Sequence, residues 1–309
     1  MATLNYYGPN GRILSDAYTA WPRGFAEIET LSASETRIIA RNPATEVRIV
    51  LKGTGFAYDA QDGTLIDGTI HEVALRQNGQ LQARIVKLDW DAAAFGPALA
   101  DAVATGRDAG QIDPFIEQQP WTVDARDARG PASGVTFGQI AETRPVVFKG
   151  SPFADDLSAG AASDRLFGKG GADTLRGGAR ADKVYGGGGD DTLYGEDGRD
   201  LILGGAGIDW ISGGRGSDRI RGGEGDDRMF GDAGRDVFIF AGRGYEGNDL
   251  IFDFESGRDH IRIGAGLRFE DLTIAGDATQ TVISLETGTT VTLQGVDVND
   301  IDAGDFIFV

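Results

Sequence analysis

The sequence predicts a mainly all-β protein, in which a small β-rich domain with one helix precedes a parallel β-roll and an antiparallel β cap. Three observations carry that expectation. Residues 150–239 divide into ten consecutive nine-residue units with no insertion between them. In every unit the sixth residue is Asp and the eighth is apolar. On either side of this array, short stretches alternate apolar and polar residues with period two, as half-buried strands do.

The totals bound the partners. A chain of 309 residues has room for about two domains at ~100–200 residues each. Its net charge of -19 and pI near 4.4 argue against a nucleic-acid partner, which calls for a basic footprint. There is no cysteine, so neither a disulfide framework nor a thiolate metal site exists. The opening MATLNYYGPNGRIL lacks a charged leader followed by an apolar run, which predicts no cleaved signal peptide. No stretch reaches the ~18 apolar residues of a spanning helix, so no transmembrane segment is expected.

The chain divides at 1–149, 150–263 and 264–309. In the first part, residues 35–90 read mostly as strand: Val47, Ile49 and Leu51 alternate, as do Phe56 and Tyr58 after a Gly-Thr-Gly break. In HEVALRQ-NG-QLQARIVKL, Asn78-Gly79 supplies the two positive-φ residues of a type I′ hairpin turn. The Ala-rich run from Asp91 to Thr105 predicts a helix with Asp89 or Asp91 as N-cap, and with Pro97 either starting its regular part or kinking it. Residues 106–145 have no firm period and read as loop with short strands.

Within each unit of the array, six turn-like residues precede three extended ones. Glycine occupies position one in nine units, all but Ala159, and position four in seven, the exceptions being Phe153, Ala162 and Arg180. Both are read as sites of positive φ. In the extended part, position eight faces one way and positions seven and nine the other. One unit cannot bury its apolar residue alone, so neighbours must stack at ~4.7 Å, the logic of a solenoid. One turn plus one strand is half a coil. Unit n therefore stacks on unit n+2, giving two parallel sheets with a row of turns along each edge.

Each row sets an aspartate between successive turns, beside carbonyls that glycine leaves accessible. Several hard oxygen ligands suit Ca²⁺ better than Mg²⁺ or a transition metal. The candidate ligands are Asp155, Asp164, Asp173, Asp182, Asp191, Asp200, Asp209, Asp218, Asp227 and Asp236. Asp249 joins them from an eleventh unit, GYEGNDLIF (244–252), displaced by four inserted residues, and Asp259 from a weaker echo. The turn glycines expected beside them are Gly168, Gly171, Gly186, Gly189, Gly204, Gly207, Gly222 and Gly225. From Leu267 on, LTIAG, TVISLE and TVTLQGV alternate as a short antiparallel sheet would.

These units resemble the RTX (repeat-in-toxin) calcium-binding nonapeptide, a β-helix repeat pattern. GGAGIDWIS (204–212), GGRGSDRIR (213–221) and GGEGDDRMF (222–230) match at every defining position. The resemblance covers 150–239 closely and 240–309 loosely, and its C-terminal part is similar to the serralysin-type β-roll. It implies several calcium ions, held by the sixth-position Asp and by turn carbonyls of one unit and of the unit stacked on it. It further implies export from a Gram-negative bacterium by a type I secretion apparatus, with folding on extracellular calcium. Asp305-Phe306-Ile307-Phe308-Val309 looks like the uncleaved C-terminal signal of such proteins, or is an ordinary last strand.

Substitutions at positions one and four gather at Ala159, Ala162 and Arg180. Weaker calcium sites are therefore expected between the 159, 177 and 195 turns, and a degenerate cap at the first unit, with Pro152 and Phe153. No zinc motif of the HExxH kind surrounds His71 or His260, and no G-x-S-x-G elbow or P-loop occurs. The expected protein is a secreted calcium-binding one with a binding or structural role in matrix or at a surface. The alternative is a secreted polysaccharide-active hydrolase or lyase, with catalysis in residues 1–149. The outward residues Arg165, Phe167, Lys183, Tyr185, Leu201, Leu203, Arg219, Arg221, Val237 and Ile239 form a basic, aromatic and aliphatic face. That face suits either the N-terminal domain or an extracellular polysaccharide. On the other sheet Trp210 points outward, alone between Thr192 and Arg228.

Overall fold

A computed structural model describes the strands of residues 1–136 and every residue from 145 to 309. The chain forms two compact units, Met1–Val135 with Val146–Lys149, and Thr136–Pro145 with Gly150–Val309.

In the first unit the strands follow the order Glu29–Ser34, Arg37–Arg41, Val47–Tyr58, Leu65–Gln77, Gln80–Asp91, Ala2–Tyr6, Trp121–Asp124, Val146–Lys149. The first six pair antiparallel, and Ala2–Tyr6, Trp121–Asp124 and Val146–Lys149 pair parallel. The hairpin register is the expected one, with Gln77 opposite Gln80. The Gly-Thr-Gly break does not end a strand. It shifts the register inside Val47–Tyr58, between Lys52 and Ala57, as glycine at a bulge allows. The helix expected over 91–105 lies outside the described residues, apart from Asp91, which ends a strand.

The second unit is a parallel roll. One sheet stacks Asp156–Ser158, Thr174–Ala179, Thr192–Gly198, Trp210–Gly216, Arg228–Phe230 and Asn248–Ile251. The other stacks Arg165–Phe167, Lys183–Gly188, Leu201–Ala206, Arg219–Glu224, Val237–Phe240 and His260–Ile263. Register confirms that unit n lies on unit n+2: Leu157 faces Leu175, which precedes Leu193, Ile211 and Met229 in one column. Leu166, Val184, Ile202, Ile220, Phe238 and Ile261 form the second. All of these position-eight side chains are buried. Fully burying a residue of this size stabilises by ~1.5–3 kcal/mol, so the two columns are the roll's apolar core.

The strands are longer than the three residues per unit expected from pattern. In the central coils they run six or seven residues and take in the start of the next turn, where Gly187 pairs with Gly205 and Gly188 with Ala206. Positive φ falls at positions two and four, not one and four. Lys169, Glu196 and Asp232 adopt it at position two alongside Gly178, Gly187, Gly205, Gly214 and Gly223. Position-one glycine answers to close approach instead, as the site geometry shows below.

Beyond the roll, Thr273–Gly276, Gln280–Ser284 and Thr290–Gln294 form the expected antiparallel sheet. Its last strand pairs parallel with Asn248–Ile251 and continues the first stack. Phe306–Phe308 pairs parallel with His260–Ile263 and ends the second, so the final residues are a strand of the roll. Among the described residues no helix is long and apolar enough to cross a membrane.

Candidate metal centre

The sixth-position aspartates form two buried ladders, one along each edge of the roll. Asp155, Asp164, Asp173, Asp182, Asp191, Asp200, Asp209, Asp218, Asp227, Asp236, Asp249 and Asp259 are all at most 3 % exposed. The backbone imposes this placement, because each aspartate precedes the inward-facing position eight by two residues and so shares its face. Each carboxylate from Asp173 onward uses Oδ1 to accept the backbone N–H of the aspartate one coil earlier. Examples are Asp155 N–H to Asp173 at 2.7 Å, Asp191 N–H to Asp209 at 2.9 Å and Asp227 N–H to Asp249 at 3.0 Å. The backbone carbonyl of each aspartate from Asp155 to Asp236 accepts from position seven of the next coil, as in Thr192 N–H to Asp173 O at 2.8 Å.

The second oxygen separates the aspartates into two kinds. Oδ2 of Asp173, Asp182, Asp191, Asp200, Asp209, Asp218, Asp227, Asp236 and Asp249 is buried with no hydrogen-bond partner. In Asp155 and Asp164 that oxygen accepts from Ser151 N–H at 2.7 Å and Gly160 N–H at 3.2 Å, and in Asp259 from Glu255 N–H at 3.0 Å. Asp155 also receives the Ser151 hydroxyl on Oδ1 at 2.7 Å.

A buried anionic oxygen without a donor is costly, so it protonates or meets a cation. Burial pushes Asp173, Asp182 and Asp249 up from the ordinary 3.8 to about 8. It pushes Asp191, Asp227 and Asp236 to about 7, and Asp200, Asp209 and Asp218 to about 6. The N–H bond on Oδ1 opposes the rise, and carboxylates on adjacent coils add to it in most of these groups. Asp259 is raised by the same burial.

Backbone oxygens approach the same spaces. A methyl group on Gly168 would lie 2.1 Å from Asp173 Oδ2 and 2.5 Å from the Gly186 carbonyl oxygen. On Gly204 it would lie 2.1 Å from Asp209 Oδ2 and 2.6 Å from the Gly222 carbonyl. Position one is glycine because the carboxylate and the next coil fill its Cβ space. The two edges differ here. Along Gly168, Gly186, Gly204 and Gly222 the carboxylate oxygen would be 2.0–2.2 Å from such a methyl; along Gly177, Gly195, Gly213 and Gly231 it would be 2.6–3.0 Å. The looser edge is the one that carries Ala159 at position one.

Position four carries the second backbone column. The Gly171 carbonyl oxygen would be 2.2 Å from a methyl on Gly189, Gly189's 2.3 Å from one on Gly207, and Gly207's 1.9 Å from one on Gly225. Arg180 holds φ 74 there, so its carbonyl keeps the same course toward Gly198 at the cost of left-handed strain. Among the described residues no three Asp, Glu or His side chains converge on one point. A cation at these turns would take one carboxylate oxygen per coil and complete its shell from backbone carbonyls. Calcium accepts such a set, since it takes 6–8 oxygens in flexible geometry.

The rows of aspartates are legible in the sequence, but the N–H bond that consumes half of each carboxylate is not. Nor does the sequence mark three further carboxylates, two exposed and one half-buried, that bind turn N–H groups one coil away. Asp190 takes Ile208 N–H at 2.8 Å, Asp226 takes Asn248 N–H at 2.8 Å, and Asp253 takes Gly231 and Asp232 N–H at 2.9 and 2.7 Å. Acidic residues at position five of the fifth and ninth units, Asp190 and Asp226, are the signal the sequence offers. Trp210 is not alone. Its ring lies 4.9 Å from Phe230, which stacks on Phe252 at 4.7 Å, because position nine of the following coils falls beside it. On the other sheet Phe167 stacks on Tyr185 at 4.7 Å.

A glycine-turned parallel roll with buried aspartate ladders on both edges defines a solenoid repeat protein built around cation-ready turns. Residues 149–179, 167–202 and 203–238 match the family described as RTX calcium-binding nonapeptide repeat (4 copies), and the chain carries these repeats. None of the curated proteins compared with it matches. Among solved structures it is similar to the extracellular lipase LipA from Serratia marcescens, at 17% identity over 62% of this chain and 45% of that one, TM-score 0.30. It is also similar to the AlgE6R2 subunit of the Azotobacter vinelandii mannuronan C5-epimerase, at 27% identity over 39% of this chain and 88% of that one, TM-score 0.32. The chain thus spans less than half the length of the lipase chain.

The carboxylates with an unpartnered oxygen run along both edges, from Asp173 to Asp249. Of the turns expected to be weaker, those of Asp182 and Asp200 keep an unpartnered oxygen, and that of Asp164, in the first coil, does not. Crystals grown in calcium should show ions against Asp173 through Asp249, Asp182 and Asp200 included, and little or no density at Asp155 and Asp164. Anomalous scattering measures this, and comparable peaks at Asp164 and Asp173 would reject the partition.

Proposed function

We propose that this is a secreted calcium-binding protein, exported unfolded through a type I secretion apparatus and folded outside the cell by the calcium ions its roll takes up. Its role is one of binding or structure in an extracellular matrix or at a surface. The observation that carries this reading is the row of nine buried carboxylate oxygens with no donor. They would hold calcium together with the carbonyls of the position-one and position-four turns. The ion would supply the positive charge that lets these groups ionise inside the roll, and metal affinity thereby becomes folding energy.

Such coupling suits export. A chain that cannot bury its carboxylates without calcium stays threadable where calcium is scarce and folds where it is plentiful. The RTX repeats support the same reading. Native mass spectrometry of the full chain should count several bound ions in ~mM calcium. Co-expression with a type I apparatus should deliver the chain to the medium. A mass unchanged by calcium would remove the first half of the proposal, and a chain retained in the cell despite the apparatus would remove the second.

A further inference from the structure

The four residues inserted before the eleventh unit do more than interrupt the period. Three of them join the first four residues of that unit in a loop, 241–247, built on three left-handed glycines, Gly242, Gly244 and Gly247. Beneath this loop lies a cavity of about 430 Å³, lined by Leu203, Ala206, Arg221, Glu224, Arg243 and Tyr245 over a floor of turn glycines. That volume falls within the range of small-molecule sites.

Its walls are anchored. Glu246, 5 % exposed, takes Arg221 Nε and Nη2 on Oε1 at 3.2 and 2.5 Å, and Ala241 N–H on Oε2 at 2.6 Å. Glu246 N–H in turn donates to Thr289 Oγ1 at 2.9 Å. Arg221 is thus held rigid with its charge cancelled, and three of its five N–H donors have no protein partner among the described residues. Tyr245 is 58 % exposed, yet its hydroxyl accepts from Asn248 Nδ2 at 3.0 Å, and Asn248 Oδ1 accepts from Thr290 at 2.9 Å. Arg243 is exposed and has no ion pair among the described residues. In a chain of charge -19 that leaves a guanidinium without an ion pair in the cavity lining.

We propose that this cavity binds an acidic pyranose unit of an extracellular polysaccharide. The Tyr245 ring offers a face for the sugar's C–H surface. The fixed donors of Arg221 and the acceptors of Glu224 suit neutral hydroxyls. Arg243 pairs with the sugar's carboxylate, the geometry at which a guanidinium fork excels. The assignment rests on the extracellular, calcium-folded reading above, because the floor consists of roll turns and exists only when these are folded.

The test uses the full chain in calcium, titrated calorimetrically with a uronate oligosaccharide and with a neutral cello-oligosaccharide, while circular dichroism monitors the fold. The uronate should bind. Arg243→Gln and Tyr245→Ala should each weaken it at least tenfold with an unchanged dichroism spectrum, and Arg215→Ala, at an exposed site outside the cavity, should not. Absence of uronate binding by the folded chain, equal affinity for the neutral sugar, or full affinity in both variants overturns the assignment and leaves the calcium reading standing. A chain that stays unfolded in calcium overturns the calcium reading, and the cavity goes with it.

Discussion

In EGTA at about pH 7.5, peptides from residues 150–263 of the full chain lose their hydrogen-exchange protection and their share of the β dichroism. Both return when calcium is restored to ~mM. The size of the effect follows from the aspartate ladders. A carboxyl raised from 3.8 to about 6, as Asp200, Asp209 and Asp218 are, costs the roll about 3 kcal/mol when it ionises in place, at about 1.4 kcal/mol for each tenfold change in proton affinity. Three such groups match the roughly 5–15 kcal/mol that hold an entire domain together. The metal-free roll therefore has no margin at neutral pH. Each calcium site held at about a hundred times its Kd returns about 2.7 kcal/mol through linkage. Protection of these peptides that persists in EGTA would sink the account.

The period of nine made the roll legible. An Asp two residues before an apolar residue, repeated without a gap, leaves one register that buries every position eight. That register puts Leu175 beside Leu157 and Val184 beside Leu166. The aspartates shared the regularity and were equally readable. Their second oxygens were not, because whether Oδ2 finds an N–H depends on the shape of its own turn. Ser151 and Gly160 supply that N–H in the first two units, while the later turns, opened by positive φ at Lys169, Glu196 and Asp232, do not. Nothing in the identity of a Lys or a Glu announces a left-handed residue, since that conformation is imposed by the stacked coil. The cavity under 241–247 was visible only as a four-residue slip in the count. Its chemistry lies in Glu246 reaching Arg221 across 25 positions, which no local pattern encodes.

Acid should replace calcium. In the unfolded chain the ladder carboxyls titrate near 3.8, and in the metal-free roll nine of them titrate between about 6 and about 8. At pH 3 they are protonated in both states, and the roll carries no penalty from them. As pH rises, the unfolded chain releases its protons first, so it binds fewer protons than the roll. Stability then falls progressively from about pH 4 to about pH 8, the slope being set by that difference in bound protons. In EGTA the β signal of residues 150–263 should therefore grow as pH drops from 8 to about 5, while a calcium-loaded sample changes little across the same interval. Calcium requires the ionised carboxylate, so its apparent affinity should fall over the same window. Asp209→Asn copies the protonated state at one rung. It should stabilise the EGTA form at pH 7.5 by up to about 3 kcal/mol, less what the buried amide hydrogens cost, and it should remove one ion from the native mass spectrum. If the EGTA sample loses structure as pH falls through 7 and 6, the buried carboxyls are not what holds the apo roll open.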